Sequence, residues 1–214
     1  MEELIAIIFA YLIGSIPTAL IISKKYFGID IREYGSGNMG ATNTFRVLGQ
    51  KYGTIVMISD IIKGAIAVGL YNLFPQNVHN ELYRTNLMIG FGLAAVLGHI
   101  FPIWAQFKGG KGIATLFGMI LTIQPVVAAS CVTVFLLVLF LTRYISLSSI
   151  LAGISLPICV LYIYNEKEVF YRVFAVAVSC MVVLTHQKNI GRLLKGNESR
   201  VPILKNRDRR RRRK

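Results

Sequence analysis

Between Leu4 and Ile22 the chain carries no charged residue. A run of about 18 or more such residues is long enough to span the hydrocarbon of a bilayer, and a core helix of a soluble domain rarely needs that length. Composition agrees, with 54% hydrophobic residues, a mean hydropathy of +0.57 and only 16% charged residues, against about 25% charged in typical soluble chains. Glu2 and Glu3 stand where a secretory signal carries basic residues, and no small-residue cleavage site follows. The first segment is therefore expected to remain as a membrane helix.

Further apolar segments run from Thr54 to Tyr71, Leu87 to Ala105, Ile113 to Leu141, Ile145 to Tyr164 and Val169 to Thr185. The segment from Ile113 contains Gln124-Pro125, and proline removes a backbone donor and kinks or breaks a helix. Charge decides how to count it, because cytoplasmic loops carry the Lys and Arg excess. Placing both the Lys24 to Lys51 loop and the basic C-terminal block inside requires an even number of crossings between them, and only a split at Gln124-Pro125 supplies it. The expectation is an all-α polytopic integral membrane protein of seven transmembrane or partly re-entrant helices, with its amino terminus and the loops Asn72 to Asn86 and Asn165 to Glu168 outside. Ile113 to Ile123 spans only about 17 Å at 1.5 Å per residue, too short for a core of about 30 Å, so a short or re-entrant helix is expected there.

The formal charge of +14 is concentrated at one end: His186 to Lys214 holds twelve Lys or Arg against two acids. Such a block could bind nucleic acid, but beside membrane helices it suits anionic lipid headgroups better, and no nucleic-acid partner is expected. Residues 1–200 read as one membrane-embedded domain and 201–214 as a basic cytoplasmic tail. Cys131, Cys159 and Cys180 lie inside apolar stretches without a C-x-x-C pair, which suggests neither a disulfide framework nor a zinc site.

Three expected inner loops carry chemistry. The first reads Gly35-Ser36-Gly37-Asn38-Met39-Gly40-Ala41-Thr42-Asn43 with Arg46 behind it. Its glycines let backbone bend around a ligand, Ser36, Asn38, Thr42 and Asn43 offer hydrogen bonds, and Arg46 offers a forked cation. An oxyanion site and a flexible interfacial linker are both open readings of it. The second reads Phe107-Lys108-Gly109-Gly110-Lys111-Gly112-Ile113-Ala114-Thr115, where backbone donors at a helix start and two lysines favour a phosphate. The spacing of a Walker A loop fails because Lys111 is followed by Gly112, so nucleotide hydrolysis is not expected. Plain positive-inside anchoring by the lysines is the alternative.

The third loop carries Arg143, Ser146, Ser148 and Ser149, and the C-terminal block opens with His186, Asn189 and Arg192. Steps of three place these last residues within about 120° of one helix face, where one ligand could reach them all. A lipid-lying amphipathic helix with Lys188 and Lys195 snorkelling is the competing reading. Within the second span, Asp60 and Lys63 are three apart and read as a structural ion pair. His99 reads equally as a helix-packing or a catalytic histidine and stays outside the expected site.

Taken together, G-S-G-N-M-G-A-T-N-x-x-R at Gly35 to Arg46, F-K-G-G-K-G-x-A-T at Phe107 to Thr115 and H-x-x-N-x-x-R-L-L-x-G-x-E at His186 to Glu198 resemble the bacterial PlsY family of acyl-phosphate:glycerol-3-phosphate acyltransferases. The resemblance runs from about Leu4 to Arg200. It implies seven helices in the bacterial cytoplasmic (inner) membrane, a cytoplasmic active site, and transfer of a fatty acyl group from acyl phosphate to the 1-position of glycerol 3-phosphate. Lysophosphatidate and inorganic phosphate would be the products, in an early step of phospholipid biosynthesis, with no cofactor and no metal.

By the same resemblance Ser36, Arg46, Lys108, His186 and Asn189 would act at glycerol phosphate, with His186, Ser36 and Asn189 as the catalytic set. The Gly109, Gly110, Lys111, Gly112 turn with Thr42 and Asn43 would hold the acyl phosphate, and Asn38, Arg143, Ser146, Ser149 and Arg192 would also line the site. The H-x-x-x-x-D pair of other glycerolipid acyltransferases is absent, since Arg84, Trp104 and Gly191 stand five residues after the three histidines. A transporter of phosphorylated solutes is a rival reading, but no internal repeat supports it. A metal-dependent phosphotransferase is another, and Asp30, Asp60 and Asp208 are too scattered for its metal site.

Overall fold

The computed structural model describes residues 1–74 and 81–201. Part of the expected outer loop Asn72 to Asn86 and all of the basic tail beyond Val201 therefore lie outside the described residues. Those described form helices and no strands: α1 (Glu2–Gly14), α2 (Thr18–Phe27), α3 (Ala41–Leu48), α4 (Gln50–Gly69), α5 (Glu81–Ile100), α6 (Ile113–Ile123), α7 (Pro125–Thr142), α8 (Ile145–Ile158), α9 (Val169–Thr185) and α10 (Gln187–Leu194).

Among the described residues, five stretches are long and apolar enough to cross a membrane: Glu2–Phe27, Gln50–Leu73, Glu81–Ala105, Pro125–Thr142 and Ile145–Ile163. A sixth crossing is available if α9 and α10, bent by 59° at their junction, count as one span, and α6 is a shorter apolar helix. The protein is thus an all-helical integral membrane protein in which the seven expected apolar helices are five long spans, one bent pair and one short member. The apolar segment from Ile113 does divide at Gln124, whose backbone is extended (φ −147°), and Pro125 opens α7. Proline is harmless there because the first turn of a helix needs no N–H from it.

The run from Leu4 to Ile22, expected as one helix, is interrupted. Pro17 caps a new helix, and the Ile16 carbonyl accepts instead from Thr18 N (3.1 Å) and from Lys63 Nζ (3.3 Å). A proline nitrogen cannot continue the ladder, so the chain breaks at Ser15 to Pro17.

Lipid tails are as apolar as leucine, so helices in a membrane associate by close packing of small residues rather than by escape from water. Two reciprocal glycine contacts do this. A Cβ on Gly64 of α4 would fall 2.1 Å from the Thr115 carbonyl of α6, and one on Gly118 of α6 would fall 2.0 Å from the Ile61 carbonyl of α4. Gly14 of α1 and Gly98 of α5 meet the backbone at Ala95 and Tyr11 in the same way. Held on α4, the short α6 contributes Met119 to the central cluster with Val96, Leu156, Val178 and Val182. By contrast α7 leaves Leu136, Leu137, Phe140 and Leu141 on the outside, as a lipid-facing helix does.

Candidate functional site

Loops 28–49, 101–112 and 143–144 and residues 186–201 gather at one end of the bundle. In the first loop, Gly35 (φ +64°) and Gly37 (φ +72°) adopt left-handed backbone, a conformation that side chains resist. The loop closes on Asn43, which is 1% exposed. Its Oδ1 accepts from Ser36 N (2.8 Å), and its Nδ2 donates to Tyr34 O (3.0 Å) and Ile31 O (3.4 Å). Asn38 Oδ1 likewise accepts from Gly40 N (2.9 Å). Asn43 therefore spends both its polar groups on the loop itself and Asn38 its oxygen, while Ser36, Thr42 and Arg46 are exposed. Thr42 and Arg46 are four apart on α3 and share one face.

Arg32 joins the first loop to the second. Its guanidinium binds Asp30 through Nε (2.9 Å) and Nη2 (2.6 Å), and Nη1 donates to Ala105 O (3.2 Å). The Arg32 hydrogen bond draws the Asp30 carboxyl down to about 2 against an opposing effect of burial. A groove of about 450 Å³ between the two loops is lined by Asp30, Arg32, Glu33, Gly37, Lys108 and Gly109 among others. Gly109 and Gly110 lie tight against the end of α5: Gly110 N donates to His99 O (3.1 Å), and a Cβ on Gly109 would come 2.1 Å from that oxygen. Gly112 (φ +80°) then turns the chain into α6.

The remaining residues form a hydrogen-bonded cluster. Lys111 Nζ donates to Asn189 Oδ1, Asn189 Nδ2 donates to Glu198 Oε1 (2.6 Å), and Arg192 Nε donates to Glu198 Oε2 (2.5 Å). Burial pushes the Lys111 ammonium down to about 8; Glu198 partly offsets this, and Arg192 and Arg46 add to it. Arg46 is thereby placed within electrostatic reach of Lys111. For Glu198, burial acts upward, but the hydrogen bonds from Arg192 and Asn189 outweigh it and lower the carboxyl. With Glu198 ionised, three cations against one anion leave the cluster net positive, as a site for a phosphate must be.

His186 caps α9 and is 2% exposed. Its Nδ1 is 2.8 Å from Val182 O, and because a carbonyl can only accept, Nδ1 carries the proton. The neutral ring therefore has its free lone pair on Nε2. Burial first, and then Lys111, draw this imidazole down to about 4, so it is uncharged at neutral pH.

Other expected residues are less central. Arg143 ends α7 in left-handed backbone (φ +64°) and is exposed; its carbonyl accepts from Val201 N (2.9 Å). Arg200 lies over the Tyr144 ring and donates to its hydroxyl (2.9 Å), so residues up to 201 are tied to the α7–α8 turn. Ser149 is buried one turn beyond Ser146 in α8. Sequence reasoning gave no role to Glu198, which organises the cluster. Its signal was there, as one of only two acids in the basic C-terminal block.

A family model described as glycerol-3-phosphate acyltransferase matches residues 4–196. The chain belongs to the glycerol-3-phosphate acyltransferase family. Among its relatives, the glycerol-3-phosphate acyltransferase of Bacillus cytotoxicus is 46% identical over 199 residues, covering 93% of this chain and 95% of that protein. The enzyme of the same name from Macrococcus caseolyticus is 39% identical over 205 residues, covering 96% and 100%. Crystal structures of PlsY, an integral membrane glycerol 3-phosphate acyltransferase, match at 38% identity in a glycerol 3-phosphate form (TM-score 0.83, covering 94% of this chain and 96% of that one) and a lysophosphatidic acid form (TM-score 0.79, covering 94% and 95%). As a member of the family, this protein is an acyltransferase of phospholipid biosynthesis, and the resemblance carried by the three loop motifs holds over the whole fold.

Proposed function

We propose that this acyltransferase moves a fatty acyl group from acyl phosphate to the 1-hydroxyl of glycerol 3-phosphate, at the cytoplasmic face of the bacterial inner membrane. The observation that carries the reading is the net-positive cluster of Arg46, Lys111 and Arg192 beside a buried neutral histidine, at one end of a bundle whose flanks are lipid-facing. Both substrates bear phosphate and one bears a chain that must stay in lipid. A polar cluster at the membrane surface suits the pair.

The glycerol oxygen attacks the acyl carbon, the bond from that carbon to the phosphate oxygen breaks, and lysophosphatidate and inorganic phosphate leave. Acyl phosphate is a mixed anhydride with a good leaving group, so holding the two anions together and stabilising the developing oxyanion is most of the task. In this reading Arg46, Lys108, Lys111 and Arg192 hold the phosphates with the backbone donors of Gly109 and Gly112, while Gly110, bonded to the His99 carbonyl, fixes the turn. Ser36, Thr42, Arg143, Ser146 and Ser149 line the same end, and Asn38 and Asn43 shape the first loop. His186 Nε2 accepts the hydrogen bond of the attacking hydroxyl, and the proton passes to it or to a substrate phosphate oxygen. Asn189 keeps Lys111 and Glu198 in register.

The test is phosphate release from acyl phosphate by the detergent-purified protein, with and without glycerol 3-phosphate and with no added metal or nucleotide. Release that depends on the acceptor and yields lysophosphatidate is expected. Release indifferent to the acceptor would make the protein a hydrolase.

A further inference from the structure

Below the glycine-rich turn lies a set of ionisable side chains that the chemistry above does not use. Asp60 of α4 is 2% exposed, Lys63 of α4 6% and His99 of α5 6%. Lys63 Nζ is 2.8 Å from Asp60 Oδ1, and His99 Nδ1 is 3.5 Å from the same oxygen. Lys63 also donates to the Ile16 carbonyl at the break between α1 and α2. On its far side the His99 ring abuts the turn: a Cβ on Gly110 would fall 2.0 Å from His99 Nε2, and Gly110 N bonds the His99 carbonyl. The space between them is a cavity of about 10 Å³, bordered by Met39 of the first loop as well.

Burying ions costs several kcal/mol each, and well-packed apolar residues commonly serve stability as well or better. Packing alone therefore gives no reason for three ionisable groups at this spot. A fixed geometry does, because each member ties a different element: Lys63 the α1–α2 break, Asp60 the α4–α5 contact, and His99 the turn. We infer that Asp60, Lys63 and His99 are positioning residues, with His99, steered by Asp60 and bonded through its carbonyl to Gly110 N, setting the height at which Gly109 and Lys111 present their donors to a substrate phosphate. The inference rests on the functional reading above for which ligand the turn holds. It concerns affinity for a phosphate and leaves the bond-making step alone.

The test compares wild type with His99→Leu, His99→Asn and the charge-free pair Asp60→Leu/Lys63→Met, measuring thermal midpoint, kcat and KM for each substrate. His99→Leu is expected to raise KM for one phosphate substrate by about tenfold or more with kcat within about threefold. His99→Asn, whose amide nitrogen can stand where Nδ1 stands but which lacks the ring edge against Gly110, should recover only part of that loss. The double variant should keep the thermal midpoint within about 3 °C and reproduce the same KM rise. Wild-type KM values in both the double variant and His99→Leu would overturn the inference, as would losses that only track the folded fraction across all variants. Binding of inorganic phosphate is measured alongside. If wild type shows no acceptor-dependent turnover the functional reading fails, while weaker phosphate binding by His99→Leu would still support the positioning role.

Discussion

Lys111 gives the site a pH dependence that can be worked out in advance. Its ammonium is drawn down to about 8, chiefly by burial and further by Arg192 and Arg46. In the free enzyme roughly nine in ten Lys111 side chains are then charged at pH 7 and roughly one in ten at pH 9. The second ionisation of a phosphate monoester lies near ~6, so the substrates carry constant charge above pH 7 and any change belongs to the protein. If a phosphate requires the charged lysine, kcat/KM for that substrate falls about tenfold from pH 7 to pH 9, bending near 8, because kcat/KM reports the ionisations of the free enzyme. The assay is acceptor-dependent phosphate release from pH 6.5 to 9.5, corrected for uncatalysed hydrolysis. Arginine stays charged throughout this range, so Lys111→Arg should flatten the profile even if its activity is lower. A Lys111→Arg enzyme that kept the wild-type fall near pH 8 would refute the assignment.

Removing the Glu198 charge by Glu198→Gln leaves Arg192 and Lys111 uncompensated and should cost about 1–3 kcal/mol, toward the lower end because Arg192 is partly exposed; thermal melts read the difference. Glu198 is lowered in the folded state, so its contribution is present at neutral pH and lost as pH falls through the folded value. The gap between wild type and Glu198→Gln should therefore close in acid. Gly64→Ala would drive a Cβ into the Thr115 carbonyl and, by forcing α6 off α4, should destabilise the protein by about 1–3 kcal/mol in the same melts. His186→Gln should lower kcat by on the order of 100-fold with little change in KM, and near-normal turnover would remove His186 from the proton path.

The apolar runs, the division at Gln124-Pro125 and the three polar motifs were legible from residue order, because length without charge and a missing backbone donor are local properties. The family was legible for a related reason: loops that bend around a ligand need particular glycines and polar residues in consecutive positions. Charge alone even brought the motif-bearing loops to one end. The break at Pro17 was also written in the sequence, but an uncharged run hid it, since a membrane span tolerates such a break when a neighbour such as Lys63 bonds a carbonyl left over there, here that of Ile16.

What tertiary structure decided is which polar group meets which. Asn43 reads as a ligand-binding amide, yet its bonds go to backbone brought within reach only by two left-handed glycines. Glu198, the last residue of the third motif, is folded back onto Arg192 and Asn189 by the turn at Gly196, and the 59° bend after α9 sets that group beside Lys111. His99 meets Asp60 only because α4 and α5 pack side by side. Hydropathy and helix period say how far a chain can cross a bilayer; the partner of a buried charge is set by distances between segments far apart in sequence, and those exist only once the helices have packed.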